Sequence, residues 1–170
     1  MKIPNFIEFH NKTNIDLSNS LTKADPEEGC AILLGNKKIS EIEINKSSWV
    51  VKHIWHCRNV WGEKESNLKS QIKTKLDLRK ERTQSKKNHF ELDPKDHIAA
   101  QKWARKNDLE ILCCAHSHPK SQNIPSKIDL LWHRSPGLMV IANRDGDLKA
   151  WWIKNKFSFH KVKIVVFSLR

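Results

Sequence analysis

Apolar residues in this chain fall into short blocks separated by strongly polar stretches, and the blocks change period along its length. Ile15, Leu17, Leu21 and Ala24 recur at roughly helical spacing and then meet Pro26, which predicts a short helix over 15–24. Cys30 to Leu34 is a run of five apolar residues closed by Gly35-Asn36, the pattern of a buried strand followed by a turn. Residues 39–57 are rich in Ile, Val and Trp with partial alternation, and predict one or two further strands. After a long polar stretch, Asp93-Pro94-Lys95-Asp96 reads as a helix start, with an N-cap aspartate, proline at the first helical position and an acid in the first turn. Ile98, Ala99, Trp103 and Ala104 then form the expected buried face of a helix to about Asn107. Leu109 to Ala115 predicts a central strand, and Ser126 caps a short helix over 127–134. Leu138–Ala142 and Leu148–Ile153 flank Asn-Arg-Asp-Gly, a hairpin signal, and the partial alternation from Phe157 to Val166 ends the chain in strand. The Trp151-Trp152 pair is expected to place one ring in the core and one at the surface. Strands and helices mix without regular βαβ alternation, which gives an α+β class: a curved mixed β-sheet flanked by helices.

Length and charge sharpen this picture. A chain of 170 residues suits one domain, expected over 15–170, with residues 1–14 as a polar, loosely attached extension. Within 63–88, nine Lys or Arg stand against four Asp or Glu with no apolar face large enough to bury, so this stretch is expected as a basic, flexible insertion. No apolar run approaches the roughly 18 residues needed to cross a membrane. The N-terminus lacks a signal-like apolar core, so a cytoplasmic location is expected. Four cysteines, two of them adjacent, and no C-x-x-C pair point to reduced thiols rather than a disulfide framework or zinc ribbon. The net charge of +12 is compatible with an anionic partner, whether nucleic acid, acidic protein or membrane surface, and equally with a lysine-rich solvated surface.

Chemistry concentrates in Ala115-His116-Ser117-His118-Pro119 and Pro125-Ser126-Lys127-Ile128-Asp129. In extended chain, residues i and i+2 point the same way, so His116 and His118 can aim two imidazoles at one point just beyond the strand's end. A loop folding back would bring Asp129, in the first turn of the next helix, to the same point. Two imidazoles and a carboxylate leave zinc's fourth position open, as hydrolytic sites require. Ser126 can donate to an oxyanion there, and the proton acceptor must be a carboxylate from elsewhere in the chain. Among nine histidines an H-x-H pair alone is weak evidence for metal, and Cys113 and Cys114 read as small core residues of which at most one could face the cluster.

The segment matches H-[ST]-H-P-x6-S-x2-D at every defined position, and so resembles the JAMM (MPN+) metallopeptidases. The family's upstream glutamate has its counterpart in Pro26-Glu27-Glu28-Gly29-Cys30-Ala31-Ile32-Leu33-Leu34-Gly35, where alignment on Pro26 and Cys30 selects Glu28; Ala31 stands where the family commonly has glycine. The resemblance covers roughly residues 20–155, the stretch Phe90–Pro94 included. It implies one catalytic zinc on His116, His118 and Asp129, Glu28 as general base, Ser126 at the oxyanion, Ser117 as loop support, and Asn59 near the substrate cleft. It further implies cleavage of a peptide or isopeptide bond after the C-terminal tail of a ubiquitin-like or sulfur-carrier protein, the tail adding to a sheet edge beside the zinc. The rival readings are a catalytically silent MPN scaffold, a nucleic-acid-associated protein like the RadC group, and a zinc hydrolase of some other amide.

Overall fold

The computed structural model describes residues 3–39, 45–63, 85–133 and 135–168. Among these residues ten elements follow in chain order: β1 (Phe6–His10), α1 (Asn11–Thr22), β2 (Cys30–Ile39), β3 (Ser47–Cys57), α2 (Pro94–Lys106), β4 (Glu110–His118), α3 (Lys127–Trp132), β5 (Gly137–Asn143), β6 (Leu148–Asn155) and β7 (Ser158–Phe167). The strands run in the spatial order β1-β3-β2-β4-β5-β6-β7 and close into a barrel. The mixed sheet is as expected, but its closure is not. Closure depends on β1, which pairs in parallel with both β3 and β7.

That strand lies inside the segment expected to be a loose extension. Ile7 and Phe9 are fully buried in the main core, so residues 6–10 belong to the barrel. The interruption by Glu8 obscured the pattern. Its carboxylate is buried but accepts a hydrogen bond from Ser48 Oγ and lies 3.9 Å from Lys38 Nζ, so the charge is satisfied inside the sheet.

The five-residue apolar run in β2 has a simple cause, because the strand is covered on both faces. Ala31 and Leu33 point into the barrel core with Leu17 and Leu21 of α1, while Ile32 and Leu34 point outward against Ala100 and Ala104 of α2. The strand does not turn at Gly35-Asn36 as expected. It passes through a bulge there and continues to Ile39. Gly35 permits the close approach of β3 at the bulge, since a Cβ would sit 1.9 Å from the Val50 carbonyl oxygen.

Helix α2 starts as its sequence dictates. Asp93 accepts a hydrogen bond from the Lys95 N–H and Pro94 occupies the first turn. Its buried face is Ala100 and Ala104, with Ile98 exposed, a rotation from the expected stripe. On β5 the same two-sided burial appears: Leu138, Val140 and Ala142 face the barrel interior, and Met139 and Ile141 pack outward with Leu130 of α3. Trp152 is buried and Trp151 half-buried, its indole donating to the Asn123 carbonyl. Helix α1 begins at Asn11, four residues before the expected start. Most of the basic stretch expected as an insertion, residues 64–84, lies outside the described residues. Among those described, no helix is long and apolar enough to cross a membrane.

Candidate metal centre

Strand parity assigns the two histidines to one side. Cys113 and Ala115 of β4 are inward core residues, so His116 and His118 point outward with Cys114. Strand β4 runs through both histidines rather than ending before them, and its parallel pairing with β5 extends to His118 and Asn143. The backbone that carries both rings is therefore held in the sheet, and both residues are buried, His116 completely.

Asp129 arrives from α3. Ser126 Oγ accepts from the Asp129 N–H at 3.2 Å, and Asp129 Oδ2 accepts from the Ser126 N–H at 2.6 Å, a reciprocal capping box. This box fixes the carboxylate in the first turn with both oxygens facing the histidines. His116 Nε2 lies 3.4 Å from Oδ1, His118 Nε2 lies 3.3 Å from Oδ2, and the two Nε2 atoms are 3.0 Å apart. The three side chains form the group of potential metal ligands found among the described residues, with one donor atom of each inside a 4.8 Å span.

The donor set fits a divalent ion on its own geometry. Four-coordinate zinc with bonds of about 2.0–2.1 Å places neighbouring ligand atoms about 3.3 Å apart, close to the separations found here. Tautomers agree. His118 Nδ1 is 2.9 Å from the Gln122 carbonyl, an acceptor only, so Nδ1 carries the proton and Nε2 presents a lone pair. His116 Nδ1 has no hydrogen-bond partner among the described residues; the Phe90 ring, stacked at a centroid distance of 4.3 Å, orients that imidazole instead.

Electrostatics follow from burial and these contacts. Burial lowers the His116 pKa, and Asp129 offsets it only in part. For His118 burial acts in the same direction, but Asp129 and the Gln122 carbonyl outweigh it and the pKa is raised. Burial would raise Asp129, yet the two imidazoles prevail and hold its carboxyl well below the usual carboxylate range.

The two glutamates separate clearly. Glu27 is exposed, whereas Glu28 is 5% exposed. Burial pushes the Glu28 carboxyl up to about 8, with His118 lowering and Asp129 raising it, so it stands within electrostatic reach of the cluster. Its backbone is clamped on both sides. The Glu28 N–H donates to the Lys86 carbonyl at 2.6 Å, and Asn59 Nδ2 donates to the Glu28 carbonyl at 3.0 Å. The same Asn59 amide donates to the His89 carbonyl and accepts from the Trp61 and Glu91 N–H groups. Asn59 is thus a strut between the Glu28 segment and residues 89–91, a role the sequence could not specify. Ser117 points the other way from the histidines. Its Oγ accepts from the Gly29 N–H at 2.8 Å and donates to the Leu21 carbonyl at 3.1 Å, tying β4 to α1 and to the residue after Glu28. Gly29 is needed where the chain passes α1, since a Cβ would meet the Leu21 carbonyl oxygen at 2.4 Å.

Residues 10–154 match the prokaryotic homologs of the JAB domain, and the chain belongs to that family. It is 38% identical over 78 residues to the desampylase of Pyrococcus furiosus, an alignment covering 45% of this chain and 56% of that protein. The chain therefore matches little more than half the length of this curated relative. A solution structure of a protein from Desulfitobacterium hafniense shares the fold at a TM-score of 0.70 and 23% identity, covering 96% of this chain and 94% of that one. One from Salinibacter ruber does so at 0.60 and 25%, covering 94% and 91%. A JAB1/MPN domain protein from Archaeoglobus fulgidus aligns at 0.51 and 14%, covering 94% and 97%.

Proposed function

We propose that the chain is a zinc-dependent hydrolase of a peptide or isopeptide bond that follows the C-terminal tail of a ubiquitin-like or sulfur-carrier protein. The observation that carries this reading is the convergence of His116 Nε2, His118 Nε2 and the Asp129 carboxylate on one point, with the buried Glu28 beside them. The three would hold the zinc, which when bound makes water acidic near neutral pH and polarises the scissile carbonyl. Glu28 takes the proton lost by the attacking water and returns it to the leaving amine; a carboxylate kept from solvent and clamped through its own backbone suits both steps. The Ser126 hydroxyl uses one oxygen lone pair to accept from the Asp129 N–H, and its hydrogen remains to be donated to the oxyanion. Ser117 is committed to holding β4 against α1 and takes no part in the chemistry.

The similarity to a desampylase supports a hydrolase acting on a ubiquitin-like modifier. The full donor set weighs against a silent scaffold. The tail would add as an extended strand to a sheet edge: β1 pairs with β3 only over Ser48–Val50, so among the named strands Val51–Cys57 is paired on one side alone. The test is cleavage of a ubiquitin-like protein bearing a C-terminal extension by the zinc-loaded chain. Glu28→Gln should abolish turnover with zinc retained, and full turnover in that variant would refute the assignment.

A further inference from the structure

We propose that the cavity on the Asp129 side of the donor cluster is a specificity pocket that seats one apolar residue of the substrate next to the scissile bond and hydrogen-bonds that residue's neutral amide. This rests on the peptidase reading above. The cavity has a volume of about 310 Å³ and lies between residues 88–92 and α3, with Cys114 and Met139 behind it. That is the small end of the range for ligand pockets, enough for a residue or two but not for a folded element. Phe90, Leu92, Ile128 and Met139 make its walls apolar, and Asp129 itself forms part of the lining, so an occupant sits directly beside the donor cluster.

Two of the lining residues carry a buried polar atom with no hydrogen-bond partner among the described residues, Trp132 at Nε1 and His89 at Nε2. Their chemistry is complementary. An indole N–H can only donate. His89 Nδ1 lies 2.9 Å from Asn88 Oδ1, which also accepts from the Ser85 N–H and is therefore an oxygen, so Nδ1 carries the ring proton. His89 Nε2 then presents a lone pair. The ring is 6% exposed and stacked on Trp61 at 4.8 Å, so it cannot swing out to find water. One fixed donor and one fixed acceptor in an apolar cavity are the hydrogen-bonding complement of an amide.

Other occupants fit less well. The Glu91 and Asp129 carboxylates border the cavity and repel an anion such as a free C-terminal carboxylate. An ammonium needs three acceptors and a hydrated head, which apolar walls and a single imidazole lone pair do not supply. An amide-flanked aliphatic side chain satisfies both orphan atoms and fills the walls.

The test uses the zinc-loaded full chain labelled with ¹⁵N in tryptophan, and reads the Trp132 indole N–H resonance, identified by its loss in Trp132→Phe. N-acetyl-leucine methylamide should produce a saturable downfield shift. N-acetyl-glycine methylamide and N-acetyl-leucine with a free carboxylate should bind at least about tenfold more weakly. His89→Phe, which keeps the ring and removes the lone pair, should weaken the leucine probe by about tenfold. A Trp132 resonance that does not move, or an equal response to the three probes, overturns the proposal. A panel of cleavable tails varied at the two positions flanking the scissile bond separates this claim from the one it rests on. Turnover indifferent to leucine, glycine or aspartate at both positions refutes the pocket and leaves the peptidase standing. Selective leucine binding without any turnover supports the pocket and refutes the peptidase.

Discussion

Replacing Ser117 by alanine removes a single oxygen atom from the core, and its consequences follow from two contacts. The hydroxyl accepts from the Gly29 N–H at 2.8 Å and donates to the Leu21 carbonyl at 3.1 Å, and the side chain is 2% exposed. Alanine leaves a buried donor and a buried acceptor without this partner, each costing about 1–3 kcal/mol, and together roughly 2–4 kcal/mol because the two share one site. For a domain of this size that lowers the melting temperature by roughly 4–16 °C. The loss should appear in thermal unfolding followed by circular dichroism with zinc removed, since the contacts do not involve the metal. Turnover should fall as well, because Gly29 adjoins Glu28, but zinc content should not. If Ser117→Ala melts within about a degree of wild type and yet loses turnover, the hydroxyl acts in the chemistry and the structural role given to it here is wrong.

Further expectations test the surroundings of the site. In the metal-free chain Glu28 keeps its proton up to about pH 8, whereas an unfolded glutamate releases it near pH 4.5; stability from this group is full below the lower value and falls as pH rises through the interval. Glu28→Gln should therefore gain stability over wild type by up to about 1.4 kcal/mol per pH unit between pH 5 and 8, with a smaller gain once zinc is bound, and melting curves showing no widening would contradict the burial described. Glu27→Gln, on an exposed residue, should change neither melting nor turnover, and loss of activity there would move the catalytic assignment by one residue. Asn59→Ala should raise hydrogen exchange at the Trp61 and Glu91 amides and cost roughly 2–4 kcal/mol in urea unfolding; unchanged exchange would show that the strut is not needed. Gly35→Ala should cost about 3 kcal/mol or more, because its Cβ would stand 1.9 Å from the Val50 carbonyl oxygen, and an unaltered urea midpoint would refute that close approach.

Much of the site could be read in the sequence because its parts are local. His116 and His118 share a strand face through simple alternation, and Ser126 and Asp129 form a capping box at a spacing of three. Asp93 and Pro94 announce α2 for similar reasons. What escaped the reading is long-range. Strand β1 was hidden by Glu8, whose burial makes sense only once Ser48 on a neighbouring strand is in view. Barrel closure depends on the pairing of Phe6 with Lys163, 157 positions away in the chain, for which periodicity carries no signal. The turn expected at Gly35-Asn36 failed because glycine there answers to the approach of Val50 rather than to a reversal of the chain. Asn59 and His89 gain their roles only from the fold, the first by joining Glu28 to residues 89–91 and the second by facing a cavity shared with Trp132.

The central claim is that His116, His118 and Asp129 form one binding site for a divalent ion, and elemental analysis of the chain after incubation with zinc and exhaustive dialysis tests it most directly. Wild-type chain should retain one equivalent of zinc, and Asp129→Ala, prepared in parallel, should retain little. A wild-type sample that keeps no zinc, or an Asp129→Ala sample that keeps a full equivalent, would contradict the account.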